Sequence, residues 1–250
     1  MTIDPIHQFH LVNLFKIGQI GDHAIYFTNS SAYMLLSVVL ISALMIGGSA
    51  RGQLVPGRFQ SMAEITYEFV ATTLRSTAGA EGMKFFPLIF TLFMFICVSN
   101  LVGVIPYTFT LSSHIIFTAS LALLVFFTVL IYGFYKNGTK FFKIFVPSGI
   151  PIFILPLVVF IEVFSFFLRP ISHSVRLFAN MLAGHIALAV FASFIPLLAG
   201  LGIAGAFGAV LPLGMVIALS ALELLVAFLQ AYVFAILTCI YLNDAIHPGH

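Results

Sequence analysis

The sequence predicts an all-α integral membrane protein, and three observations carry that prediction. Of its 250 residues 61% are hydrophobic and 7% are charged, whereas soluble domains carry about 25% charged residues to satisfy water at their surface. Ten Lys and Arg with eight Asp and Glu cannot cover a globule of this size, so the outside faces hydrocarbon. There every backbone amide must be paired within a helix or a closed barrel. Barrel strands of about 10 residues alternate apolar and polar side chains, but runs such as FFPLIFTLFMFICV at 85–98 are apolar almost throughout. The spans are therefore helices. A net charge of +2 with dispersed cations excludes nucleic acid as a partner. Cys97 and Cys239 sit inside apolar runs and read as buried thiols that report no redox compartment.

The elements follow in order as parts of one membrane domain over 1–250. Residues 1–31 are a polar, His-containing segment whose opening MTIDPIHQFH predicts no cleaved signal peptide. Residues 32–50 form a first, short span. The stretch 51–84 differs in kind, with Arg51, Arg58, Glu64, Glu68, Arg75, Glu81 and Lys84 among apolar positions. Pro56 suits a first helical turn, and Phe59, Met62, Phe69 and Thr73 fall roughly on one face. This predicts an amphipathic interfacial helix over 56–80, with a solvated loop as the plainer alternative. Residues 85–135 predict a helical hairpin turning at Pro106.

Residues 150–244 predict a long helical hairpin hinged at the glycine-rich AGLGIAGAFGA of 199–209. As one helix, 210–242 would be about 50 Å long, against a hydrocarbon layer of about 30 Å. It must lean by roughly 50°, beyond the usual tilt of about 20°. The preceding segment, about 152–196, is either a second steeply inclined helix or two spans broken near Pro170. Lys and Arg concentrate in the connections 51–84 and 136–143, the latter with Lys136, Lys140 and Lys143, while Lys16 stands alone before the first span. The positive-inside rule then puts the amino terminus outside and, after five crossings, the carboxyl terminus inside.

Charges at membrane depth cost about 2.5 to 3.5 kcal/mol each and default to functional candidates. Glu162, Ser165, Arg169, Ser172 or His173, Arg176 and Asn180 recur in steps of three and four, making one polar stripe on an apolar helix. His185 lies nine residues beyond Arg176, about 180° around the same helix. On the final helix Glu223 and Gln230 share a face, with Tyr241 near the same azimuth. Folded about residue 204, His185 and Glu223 are 19 residues from the hinge on either side, and Arg176 and Gln230 are 28 and 26 away. Both pairs are candidate cross-helix contacts. The plain readings are a snorkelling Arg176, a Glu162–Arg169 pair neutralising itself, and a structural His185–Glu223 hydrogen bond. A carboxylate and an imidazole at depth are also what a proton path needs, whereas arginine keeps its proton and acts as a fixed charge.

The stretch SHSVRLFANMLAGH at 172–185 closely resembles the signature of subunit a of F-type ATP synthases. The likeness extends to Glu162, Ser165 and Arg169-Pro170, to Glu223 and Gln230, and to NLVGVIPY at 100–107, similar to the family's Asn-x-x-Gly-x-x-Pro segment. The resemblance implies a stator subunit whose Arg176 faces the carboxylates of a ring of c subunits and blocks short-circuiting between two aqueous half-channels. Asn180 and Gln230 match positions lining that contact. His185 and Glu223 match the outer half-channel pair, in the mitochondrial-like order rather than the reverse order of many bacterial members. Glu162, Ser165 and His173 would belong to the inner half-channel, and Arg169 counts among the proton-translocation residues. It also implies continuous, steeply inclined final helices, a peripheral-stalk subunit b as partner beside the lipid bilayer, no cofactor and no metal, and a non-catalytic role. A bacterial inner membrane is the expected location, with an organelle inner membrane as the alternative. A self-contained proton-coupled transporter is the rival reading, for which an inverted internal repeat is expected and none is visible. An intramembrane enzyme is disfavoured because neither HExxH nor GxSxG occurs.

Overall fold

The computed structural model describes residues 11–20, 23–50, 52–53, 55–105, 108–146, 151 and 153–247. The signal-peptide expectation for 1–10, the turn at Pro106 and the charge at Arg51 lie outside those residues. Among the described residues, five helical stretches are long and apolar enough to cross a membrane: Asn29–Ser49, Arg58–Val104, Ile115–Phe145, Leu155–Ala199 and Val210–Ile246.

The chain first forms an antiparallel ribbon, β1 (Asn13–Ile20) and β2 (His23–Thr28), which the sequence reading did not anticipate. Its register runs from Asn13 opposite Thr28 to Ile20 opposite His23, and Phe15 stacks on Phe27 at 4.8 Å. The first span, α1 (Asn29–Ser49), starts without an intervening residue and is 21 residues long, about 32 Å at helical rise. Asn29 joins the two elements. Its side-chain oxygen accepts from the Val12 and Ser30 amides at 3.2 and 2.9 Å, and its own amide donates to the Val12 carbonyl at 3.1 Å.

Helix α2 (Arg58–Gly82) is bent at Gly79, where φ is 66°, and passes through the single 3₁₀ turn Met83–Phe85 into α3 (Phe86–Val104). Its buried positions are Ala63, Val70, Leu74, Ala78 and Gly82. Phe59 and Met62, of the expected apolar face, are 71% and 56% exposed on the chain itself. At Ala63 a small side chain permits close helix contact: a Cβ on Gly48 would stand 2.7 Å from that of Ala63. Helix α4 is Ile115–Asn137, α5 is Leu155–Ala199, a short α6 (Ile203–Gly208) occupies the glycine-rich hinge, and α7 is Val210–Ile246. Helix α5 runs unbroken through Pro170 over 45 residues and α7 over 37, about 68 and 55 Å of helix. The open choice at Pro170 is thereby resolved in favour of continuity.

Contacts group the chain into two compact units. The first comprises residues up to 41, 95–114 and 177–230. In it the last carbonyls of α3, which a helix end leaves without amide partners, are capped by hydroxyls. Thr108 donates to the Val102 carbonyl at 2.6 Å and Thr110 to that of Gly103 at 3.3 Å. The Asn100 amide donates to the Ala227 carbonyl at 3.4 Å while the Ser112 hydroxyl donates to the Asn100 oxygen. Phe109 stacks on His114 at 4.9 Å.

The second unit comprises residues 42–94, 115–176 and 231 onward. Phe126, Phe141 and Phe145 gather around the buried Phe166 of α5, with centroids 5.2, 6.2 and 5.3 Å from it. Polar ties brace this aromatic core. Asn137 donates to the Ala245 carbonyl at 2.7 Å, Lys136 pairs with Glu81, and the hydroxyls of Thr118 and Ser174 are 3.0 Å apart.

Candidate functional site

Three groups of polar side chains stand out on α5 and α7. The first is the stripe. Ser165, Ser172, Arg176 and Asn180 are exposed and Glu162 and Arg169 half-buried, all within one narrow arc of α5 at about 100° per residue. Ser172, not His173, continues the stripe. Arg176 makes no ion pair among the described residues.

Behind the stripe, in the second unit, lies a cluster that includes a residue the sequence reading did not single out. Arg169 donates to the Asp244 carboxylate at 2.9 Å and lies over the Tyr241 ring at 4.9 Å. Arg169 thus finds its counter-charge on α7 rather than in Glu162, seven residues back on its own helix. His173 is buried at 4% exposure, edge-on to Phe234 with centroids 3.9 Å apart and 5.9 Å from Tyr241.

The third group lies wholly in the first unit. His185 and Glu223 are 8% and 5% exposed, and His185 Nε2 is 3.4 Å from Glu223 Oε1. The equal spacing about the hinge had pointed to this contact. The same Nε2 is 2.8 Å from the Thr110 hydroxyl. Neither carboxyl oxygen of Glu223 has a hydrogen-bond partner among the described residues. A carboxyl and an imidazole thus face one another in a buried site. Gly184 makes room for them, since a Cβ there would stand 3.0 Å from Glu223 Oε1. Beside them a cavity of about 280 Å³ is lined by Gly103, Thr108, His185, Ala189, Val216 and Ser220. Gln230 is buried in this unit at 8% exposure.

Sequence reasoning missed Thr110 and gave Asp244, one of the ionisable residues near the carboxyl end, no partner. The hydroxyl-rich TFTLSSH at 108–114, placed between two apolar spans, was the available signal for the first. Asp244 carried only its sign, opposite to that of Arg169. No three His, Cys, Asp or Glu side chains gather as a metal-binding set among the described residues.

Five helical stretches apolar enough to span a membrane, two of them carrying buried ionisable side chains in contact, define a polytopic helical membrane protein. A family profile described as ATP synthase A chain matches residues 31–243. The chain belongs to that family, the subunit a of ATP synthases. It is 81% identical over 248 residues to the ATP synthase subunit a of Rhodopseudomonas palustris strain BisA53, covering 99% of this chain and 100% of the relative. It is 73% identical over 250 residues to that of strain TIE-1, with both chains covered fully. To the ATP synthase subunit a of Bradyrhizobium diazoefficiens it is 73% identical over 251 residues, again with full coverage of both.

Proposed function

We propose that this chain is the proton-conducting stator subunit of a bacterial ATP synthase, working in the inner membrane against a ring of c subunits. Protons enter from outside through the cavity beside His185, pass the His185–Glu223 pair and load a ring carboxylate. They leave to the inside along Glu162 and Ser165 after the ring has turned, with Arg169 and His173 forming the wall behind that exit. Arg176, a charge that cannot be neutralised, holds each passing carboxylate ionised and separates the two half-channels. Asn180 and Gln230 flank that contact. Subunit b is the proposed peripheral-stalk partner. The chain itself performs no covalent chemistry, and its contribution is a path and a fixed field.

The observation that carries this reading is the buried His185–Glu223 contact at 3.4 Å, an acid and a base at a depth where an idle pair would be a net cost. The exposed Arg176 supports it, because an arginine left outward on an apolar helix needs an anionic partner from elsewhere. The test is Arg176→Ala in the assembled complex reconstituted into vesicles. ATP-driven acidification should be abolished while the complex still assembles, and coupled pumping at the native rate would overturn the proposal.

A further inference from the structure

We propose that the amino-terminal ribbon is an interfacial lipid anchor: its end next to α1, residues 11–15, lies among the phospholipid headgroups, with Lys16 beyond it at the level of their phosphates. The proposal concerns a part of the chain far in sequence from the proton path and stands without it.

The first strand of the ribbon changes character along its length. Leu11, Val12, Leu14 and Phe15 are each between 54% and 58% exposed, although large apolar side chains are the kind a folded chain buries. From Lys16 onward the strand is more polar, Ile17 excepted: Lys16 and Gln19 are exposed, and the Lys16 ammonium donates to the Gln19 side chain at 2.9 Å. Across the ribbon Phe15 lies opposite Phe27 and Lys16 opposite Tyr26. Opposed residues share one side of a ribbon and successive residues alternate sides. The Phe15–Phe27 stack, at 4.8 Å, therefore occupies one side and Lys16 with Tyr26 the other. Two strands alone have no further layer to cover an apolar side and are marginal in water, so the cover comes from outside the ribbon.

The attachment to α1 identifies that cover as lipid. No residue separates Thr28, the last of β2, from Asn29, the first of α1. The Asn29 side-chain oxygen accepts from the Val12 amide at 3.2 Å and the Asn29 amide donates to the Val12 carbonyl at 3.1 Å. Both strands are thus fixed at the first residue of the span. With 21 residues, α1 is about as long as the hydrocarbon layer of about 30 Å is thick, which leaves it no length with which to lift the ribbon clear of the membrane. The headgroup layer adds about 5 to 8 Å on each side. Phe15 is two residues beyond Asn13, about 7 Å at strand rise. Residues 11–15 therefore fall inside the headgroup layer even with the ribbon upright, and Lys16 and Tyr26 come at its outer boundary. A tyrosine ring opposite a lysine suits that boundary, where the ring sits at headgroup depth and the ammonium reaches phosphate oxygens. The exposed Leu35, Val38 and Val39 continue the apolar surface down α1.

Depth can be read directly in the ATP synthase complex reconstituted into phosphatidylcholine vesicles. Leu11→Cys, Leu14→Cys and Gln19→Cys are each labelled with an environment-sensitive, thiol-reactive fluorophore. Cys97 and Cys239 are buried, and the complex without an added cysteine supplies the background. Lipid carrying a nitroxide on its headgroup should quench the labels at 11 and 14 several-fold more than the label at 19. Iodide, present on both sides of the membrane, should quench the label at 19 several-fold more than the other two. Both test positions lie outside the Phe15–Phe27 stack, so the ribbon stays intact, and either one alone can refute the proposal. Iodide quenching at 11 or 14 equal to that at 19 means that this end stands in water. Protection of 11 and 14 from both quenchers means that another protein segment covers it. Either result overturns the proposal.

Discussion

The carboxyl group of Glu223 is held against the backbone of α5, and the missing side chain of Gly184 is what admits it. Gly184→Ala would place a methyl group about 3.0 Å from Glu223 Oε1, forcing the carboxyl away from His185. Passive proton flux through reconstituted vesicles should fall several-fold, and Glu223→Asp in the same chain, which withdraws the carboxyl by one methylene, should restore part of it. The half-buried Arg169–Asp244 pair supports a stability prediction. Deleting one member of a partly buried pair leaves a charged group unsatisfied, at about 1 to 3 kcal/mol. Asp244→Ala should lower the melting temperature of the purified complex, and adding Arg169→Leu should recover much of the loss because no charge is then stranded. At this scale the His185–Glu223 contact was legible in the sequence, because a hairpin with a visible hinge converts residue counting into depth. Thr110 was not, because a loop has no period from which a contact can be read.

Among the elements, the hydroxyl-capped segment 108–114 is tied to α7 through Asn100, whose amide reaches the Ala227 carbonyl while its oxygen accepts from Ser112. Asn100→Ala removes both bonds and should cost about 1 to 2 kcal/mol. Hydrogen exchange should then quicken at the Ala227 turn and in 108–114 before it does elsewhere in α7. His114 closes the same segment, outside the spanning helices, and burial pushes its imidazole below the usual value of 6.5. A lowered histidine value means the open form binds more protons between the folded value and 6.5. Stability of the segment is therefore full above that window and declines as pH falls through it. Exchange in 108–114 should accelerate as pH is lowered from 7 toward 5, beyond the intrinsic change, and His114→Phe should flatten the response. The helices themselves were readable from hydropathy to within a few residues, since lipid permits little else for an apolar run. The β1–β2 ribbon was not, because a two-stranded element lacks the core that imposes an alternating pattern. The positions of α2 that the chain itself buries, Ala63, Val70, Leu74, Ala78 and Gly82, were not named from the sequence.

For the molecule as a whole, the scarcity of charge makes orientation a testable matter. The cations of 136–143 predict an inside location, and the ribbon before α1 an outside one. Cys97 and Cys239 are both buried, so an impermeant maleimide should find little background. Lys140→Cys should be labelled only in inside-out vesicles and Ile17→Cys only in right-side-out ones. The reverse pattern would invert the proposed direction of proton entry.

The unbroken course of α5 past Pro170 has a mechanical consequence. Proline offers no N–H to the Phe166 carbonyl one turn back, so the helix is stiff on either side of that turn and compliant within it. Arg169, within the soft turn, is moored to Asp244, while Arg176 lies about two turns beyond it. A sideways push on the Arg176 end is thus absorbed as flexure at one turn, and the mooring at Arg169 can hold while the arginine tip gives way and springs back.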